Sequence, residues 1–291
     1  MKRTLLVLIL LFLLSGCSSL ASIPYSPAQT PEDWLRSQPN LAISLGAARF
    51  ILVQPSSTLF VYLLGVLTIA AGIHFLRIQA NHQSRKWWGI ALLLWGIGAL
   101  LAGTSYQAFS YEIKCAGRAV CSWTSWWEIL YLLFSAASID AMAVAIAYSS
   151  FTKKPRRWLI GYAGLSFAAY TAAVLVGTFT LDTFLISFEL LLLATGPSIL
   201  LLFILNGWHY LRLKEKKELA LAITWIWLAV VIAAYFLYYI LGISHTLWSQ
   251  GIWFSENDVL HIGLISWMGY IGLRLARQVV DLKPTASGSA K

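Results

Sequence analysis

A single acidic residue inside a long apolar run is the first candidate for chemistry in this sequence. That residue is Asp140, and its helical face also carries Ala136, Ala143 and Ala147. Because small residues let helices approach closely, this face is expected to point into a bundle. A charged acid at bilayer depth costs on the order of 3 kcal/mol or more. Asp140 is therefore interpreted as a proton carrier, a metal ligand or a protonated carboxyl bonded to a neighbouring helix.

A second polar group opens the last apolar stretch of the chain. Asn257 and His261 are four residues apart and share a helical face, and Asp258 is placed where it could orient the His261 ring. This spacing is compatible with a metal site in which His261 is the candidate ligand. It is equally compatible with a histidine that only makes hydrogen bonds.

Two further polar positions complete the predicted site. Glu189 precedes Pro197 in one apolar run, and a proline there bends the helix and frees a carbonyl, either as a plain kink or toward a cavity. Ser105 belongs to a polar trio near the end of another run. We expect a polar cavity open to the outer face, whose candidate lining residues are Asp140, Glu189, Asp258, His261, Asn257 and Ser105.

The elements that must position these residues are membrane helices. The 291 residues are 59% hydrophobic and 11% charged, which excludes an ordinary soluble domain, a disordered chain and a nucleic-acid binder. Seven apolar stretches approach or exceed the roughly 20 residues of a spanning helix. We predict an all-α bundle of seven transmembrane helices over 57–278, followed by a cytoplasmic tail over 279–291. The stretches are 57–78, 87–108, 127–150, 158–178, 183–208, 219–242 and 258–275.

The distribution of lysine and arginine predicts the orientation of the bundle. The loops after the first, third and fifth stretches, with the tail, hold 15 of these residues, and the opposite loops hold 4. Basic residues concentrate on the cytoplasmic side of membrane proteins. We therefore expect an N-terminus outside and a C-terminus inside a bacterial cytoplasmic membrane. Cys115 and Cys121 then lie in an outer loop, where a disulfide is expected, with metal binding as the alternative.

The N-terminus has the pattern of an export signal. Residues 1–17 combine Lys2 and Arg3 with a short apolar run and end at Cys17 in the manner of a lipoprotein signal. We expect Cys17 to be lipidated, with cleavage after Ala21 or an uncleaved anchor as the alternatives. Residues 18–56 are rich in proline and serine and are predicted to be an exported tether with one short helix around Asp33–Ser44.

The helix count, the orientation, the acid of the third helix and the histidine of the seventh resemble the alkaline ceramidase-like superfamily of membrane hydrolases and receptors. That resemblance implies a zinc-dependent site to which Ser105, Asp140 and His261 would correspond. Its zinc is held by a histidine late in the second helix and a histidine pair in the seventh. Here the second stretch has no histidine after residue 103, and Asn257 occupies the first position of the pair.

These observations favour a non-enzymatic sensor or accessory protein that binds a membrane lipid or a small molecule. The alternatives are a membrane-embedded, metal-dependent lipid hydrolase, with zinc as the expected cofactor, and a proton-coupled carrier. The incomplete zinc ligand set favours the first class over the second.

Overall fold

The computed structural model describes residues 19–282, and seven long helices dominate it. The predicted signal segment with Cys17 and the last nine residues of the tail lie outside the described residues. Each of the seven has the length and the apolar content needed to cross a membrane, as the sequence predicted. They are α1 Pro55–Arg77, α2 Gln83–Ala108, α3 Trp126–Ser150, α4 Lys153–Thr180, α5 Phe188–Leu213, α6 Lys216–Ile240 and α7 Glu256–Gln278.

Six of these helices form a closed ring, and α4 lies outside it. Within the ring α1 packs against α2 and α7, α3 packs against α2 and α5, and α6 packs against α5 and α7. The fourth helix packs mainly on α3 and touches α5 only marginally. Side chains on the inner faces of the six ring helices therefore surround a common interior, whereas side chains of α3 that face α4 point away from it.

Glycines bring α1 and α2 into backbone contact. A Cβ atom on Gly72 would lie 3.0 Å from the Gly89 carbonyl oxygen, and one on Gly89 would lie 3.0 Å from that of Gly72. Any larger side chain at either position would separate the two helices. This close approach is the small-residue packing typical of membrane helices.

The segment before α1 is folded and forms a cap, defined here as residues 23–54, on one end of the ring. It contains a helix over Pro31–Arg36 and an antiparallel hairpin of β1 (Asn40–Leu45) and β2 (Ala48–Val53). The predicted helix around Asp33–Ser44 is thus wrong beyond Arg36. Strand-forming residues on both sides of the tight turn at Gly46, where φ is +62°, favour the hairpin instead.

The cap is held by the loop between α2 and α3. The Tyr25 amide donates to the Cys121 carbonyl at 3.0 Å, and the Ile51 amide donates to Glu112 Oε1 at 3.1 Å. Cys115 and Cys121 form the disulfide that the sequence predicted, and both are buried against Trp34. The cap and the disulfide loop therefore form one unit at this end of the ring, called the cap end below.

Residues 279–282 fold back on the opposite end of the ring. The Asp281 carboxylate accepts the amides of Gln83 at 2.9 Å and Ser84 at 2.8 Å, so it caps the N-terminus of α2. The Leu282 amide donates to the Tyr148 carbonyl at 3.0 Å. The start of the predicted tail is therefore part of the packed structure.

Candidate functional site

A polar cavity of about 330 Å³ lies inside the ring at the cap end. The cap and five of the ring helices contribute to its wall, so the cavity exists only when cap and bundle are folded together. Its lining is mostly aromatic and amide side chains. The cap supplies Tyr25, Trp34, Gln38 and Gln54; the bundle and its loop supply Ala102, Tyr106, Gln107, Lys114, Tyr131, Phe188, Tyr235, Asn257, Leu260 and His261.

A buried ion pair forms one side of the cavity. The Lys114 ammonium is paired with the Glu128 carboxylate, and the two residues are 1% and 2% exposed. The ammonium also lies 4.8 Å from the centre of the Tyr106 ring. Buried charges are tolerated when they are paired and hydrogen-bonded. The sequence did not indicate this pair, because the disulfide loop brings together residues that no helical spacing relates.

Ser105 supports the ion pair and is not among the residues that line the cavity. Its hydroxyl donates to Glu128 Oε1 at 2.8 Å and lies 2.6 Å from the Ser125 hydroxyl oxygen. It belongs to a wide π-turn, Gly103–Ala108, at the end of α2. The same turn places Tyr106 and Gln107 in the cavity wall, and such turns occur frequently at functional sites.

Two of the predicted residues of α7 line the cavity, and the third does not. Asn257 Nδ2 donates to Gln54 Oε1 at 3.3 Å, and His261 lies one turn deeper. Asp258 was expected to orient the His261 ring. Its carboxylate instead accepts the Ser255 amide at 2.6 Å and the hydroxyls of Ser56 and Ser57 at 3.1 Å each. Asp258 thus caps α7 and ties it to α1.

Asp140 and Glu189 were expected in the cavity but do not line it. Asp140 follows Ile139, and Glu189 follows Phe188. Both Ile139 and Phe188 face the interior of the ring. One step along a helix turns the side chain by about 100°. Asp140 consequently faces Ser166 of α4, outside the ring, and Glu189 is exposed.

The described residues contain no cluster of three histidine, cysteine, aspartate or glutamate side chains that could hold a metal ion. The three positions taken from the ceramidase-like resemblance are also separated. Ser105 is bound to Glu128, Asp140 faces α4, and His261 lines the cavity.

Three buried polar atoms in the cavity wall have no hydrogen-bond partner within the described part of the chain. They are Trp34 Nε1, Gln107 Oε1 and His261 Nδ1, on side chains of residues that are 6%, 5% and 7% exposed. An unsatisfied buried group costs about 1–3 kcal/mol, so each calls for a partner. The indole is a donor, the amide oxygen is an acceptor, and the imidazole nitrogen is either one.

The Tyr25 phenol adds a neutral hydroxyl to the cavity wall from the cap. Burial, and to a smaller extent the Glu128 carboxylate, raise the pKa of Tyr25 above its usual value. The phenol therefore keeps its proton at neutral pH and is available as a hydrogen-bond donor. Apart from the Lys114–Glu128 pair, the polar groups of the cavity wall are thus uncharged at that pH when His261 is neutral.

A second buried polar cluster lies near the opposite end of the ring, and the sequence analysis missed it. The Glu218 carboxylate accepts hydrogen bonds from Ser150 and Asn206, both at 2.8 Å, and Asn206 Oδ1 accepts from Trp225 Nε1 at 3.1 Å. Every one of these groups has a partner. The cluster is therefore structural and ties α3, α5 and α6 together.

Comparison with known proteins gives a family but no characterised relative. No curated protein and no solved structure matches the chain. One family model matches residues 56–278, which covers nearly all of α1 and the whole of α2 to α7 and leaves out the cap. Because this match spans well over half of the chain, the protein belongs to DUF6962, a family of unknown function.

Proposed function

We propose that this protein is a non-enzymatic sensor or accessory protein that binds a polar group of a small molecule or membrane lipid in the cavity at the cap end. The observation that carries the proposal is the set of three buried, unpartnered atoms on Trp34, Gln107 and His261. A bound ligand with both donor and acceptor groups satisfies them, whereas the free protein bears their cost.

The proposal places the cap end outside a bacterial cytoplasmic membrane. The excess of lysine and arginine in the loops at the opposite end supports this orientation, and so does a disulfide in the cap-end loop. The export signal over residues 1–17, with lipidation at Cys17, belongs to the same proposal, since it would deliver the cap to the outer side.

A binding role is favoured over the hydrolase and the carrier because the candidate catalytic groups do not converge. Ser105, Asp140 and His261 have separate surroundings, and the cavity wall instead offers aromatic rings and amides. Such a wall binds and orients a ligand.

Native mass spectrometry of the protein in native-membrane nanodiscs tests the proposal. We expect a copurifying adduct that is lost in the double variant Gln107→Leu/His261→Leu. The control Ser266→Ala changes an exposed α7 residue whose hydroxyl bonds only within its own helix, and it should keep the adduct. Wild-type protein without an adduct, or an adduct unchanged in the double variant, would contradict the proposal.

A further inference from the structure

Two apolar cavities adjoin the polar cavity and share wall residues in sequence, one deeper in the bundle and one at its side. A central cavity of about 120 Å³ shares Tyr131, Phe188 and Leu260 with the polar cavity. A lateral cavity of about 740 Å³ lies between α5 and α6, on the surface of the ring. The central and lateral cavities have in common the wall residues Leu192, Thr195, Ile199, Leu228 and Ile232.

We infer that the ligand is a membrane lipid with an uncharged, hydroxyl-rich headgroup that enters sideways between α5 and α6. Its headgroup occupies the polar cavity, and its hydrocarbon chain lies in the central and lateral cavities. The headgroup assignment rests on the function proposed above. The lateral route and the chain site rest on the walls that neighbouring cavities share.

The walls of the apolar cavities suit a hydrocarbon chain. Thr195 donates its hydroxyl to the Leu191 carbonyl of its own helix at 2.7 Å, so it presents a methyl group to the cavities. Ile199, Leu228 and Ile232 supply aliphatic surface on both helices. A hydrocarbon chain that moves from the bilayer into these cavities therefore passes from one apolar environment into another.

The cap favours entry from the membrane side. Trp34, Gln38 and Gln54 cover the polar cavity at the end of the ring, and Gln54 Nε2 closes the cover by donating to Gln38 Oε1 at 2.9 Å. The wall of the lateral cavity includes side chains that are exposed on the outer surface of the bundle, such as Leu200 and Val230. A ligand dissolved in the bilayer therefore reaches the interior without unfolding the cap.

The charge of the cavity wall selects the headgroup. Within residues 19–282, Lys114 is the one lysine or arginine that lines the polar cavity, and Glu128 already neutralises it. An anionic headgroup would find no free positive charge in the cavity. A cationic headgroup would be repelled by the Lys114 ammonium, which lies among the same aromatic rings. Hydroxyl groups, which both donate and accept, match the unpartnered indole, amide and imidazole atoms.

Photocrosslinking in nanodiscs tests this inference with two lipids that carry a diazirine in one acyl chain. One is glucosyl diacylglycerol, with an uncharged sugar headgroup, and the other is anionic phosphatidylglycerol. The variant Ala229→Trp fills the lateral cavity from an exposed position on α6. Ala169→Trp makes the same change at an exposed position on α4, which lines none of the cavities described here, and serves as the control. Ala233→Trp is a second filling variant, and thermal unfolding checks that all three fold.

We expect the glucolipid to label peptides of α5 and α6 about tenfold more than phosphatidylglycerol does, which corresponds to about 1.4 kcal/mol. Labelling should fall about tenfold in both filling variants and stay unchanged in Ala169→Trp. Equal labelling by the two lipids overturns the headgroup assignment. Unchanged labelling in the folded filling variants overturns the lateral route. A dimer that Ala229→Trp dissociates also overturns it, because a second copy of the chain would then occupy the lateral cavity.

The failure of this inference and that of the proposed function are distinguishable. If the native adduct depends on Gln107 and His261 but is a water-soluble molecule, the function stands and the lipid inference fails. If chain labelling on α5 and α6 persists in Gln107→Leu/His261→Leu with equal strength, a lipid chain binds there, but the polar cavity is not its headgroup site.

Discussion

At the scale of single residues, the cavity wall carries buried polar atoms that have no partner among the described residues. Trp34, Gln107 and His261 each contribute one such atom, whereas the neighbouring amide of Gln54 is paired on both sides. Unpaired groups of this kind lower stability, and proteins retain them at binding sites at that cost. Gln54 therefore joins the cap to α7, whereas the Gln107 oxygen is available to a ligand in the cavity.

Gln107→Leu should therefore stabilise the ligand-free protein by about 1 kcal/mol, because it removes an unsatisfied acceptor while keeping the side-chain volume similar. Thermal unfolding of ligand-free protein in detergent measures the change. Gln54→Leu is the matched control and should destabilise the protein by a similar amount, since it breaks two hydrogen bonds. A lower unfolding temperature for Gln107→Leu would indicate that the amide is structural.

The buried ion pair makes a second prediction at this scale. Lys114→Met leaves the Glu128 carboxylate buried without a counter-charge and should lower the free energy of unfolding by about 3–5 kcal/mol. The double variant Lys114→Met/Glu128→Leu should recover most of that loss, because no charge remains buried. Denaturant titration followed by circular dichroism measures both. If the free energy of unfolding of Lys114→Met stays within about 1 kcal/mol of wild type, the ion pair contributes no more than a solvent-exposed pair does.

The sequence predicted which helix carries each candidate residue better than it predicted the direction in which the side chain points. Asn257 and His261 line the cavity as expected, but Asp140 and Glu189 are each one position away from a residue that faces the interior. Hydropathy gives depth, whereas direction depends on which helices are neighbours. Because α4 lies outside the ring, the small-residue face of α3 that carries Asp140 packs partly against α4 and not toward the cavity.

At the scale of elements, the first turn of α7 is a joint between two helices. Asp258 accepts from the Ser255 amide as a helix cap and from Ser56 and Ser57 at the start of α1. The Asp258 carboxylate, which the sequence offered as a partner for His261, therefore caps α7 and joins it to the start of α1. Sequence spacing alone does not separate these two roles, because a cap and a histidine partner occupy the same helical position.

Asp258→Ala should lower the free energy of unfolding by about 1–2 kcal/mol through the loss of the cap. Asp258→Asn keeps an acceptor and should lose less. Thermal unfolding in nanodiscs measures both, and the native adduct should survive in each variant that remains folded. Loss of the adduct in Asp258→Asn with unchanged stability would instead support a direct role for Asp258 at His261.

The helices were predictable from sequence and the cap was not. In a membrane helix the backbone N–H and C=O groups form hydrogen bonds within the same segment, so a long apolar run is sufficient to specify one. The cap depends on contacts with a loop more than fifty residues away, such as the bond from the Ile51 amide to Glu112. Its proline content indicated a tether, although strand-forming residues flank the turn at Gly46.

At the scale of the whole molecule, a ring of six helices encloses a polar cavity at the cap end and an apolar cavity deeper in the bundle, and a seventh helix lies outside the ring. Neither the order of packing nor the exclusion of α4 follows from hydropathy, because every long helix has a similar apolar content. The proposed orientation is the property of the whole chain that experiment can test most directly.

Single cysteines test that orientation in intact cells with a maleimide that does not cross membranes. Ala47→Cys lies at the exposed tip of the hairpin, and Lys154→Cys lies at the exposed start of α4 at the other end. We expect labelling at position 47 in intact cells and at position 154 only after permeabilisation. Wild-type protein is the control, since Cys115 and Cys121 are joined and any labelling of Cys17, the third cysteine, appears there as background. The reverse pattern would place the cap in the cytoplasm.

The boundary of the family match falls between two groups of residues that line the polar cavity. Gln107 and His261 belong to the matched residues 56–278, whereas Trp34, Gln38 and Gln54 precede them. A ligand held by Gln107 and His261 alone would use only residues that the family model describes, whereas one that also bonds to Trp34 would depend on residues outside that match.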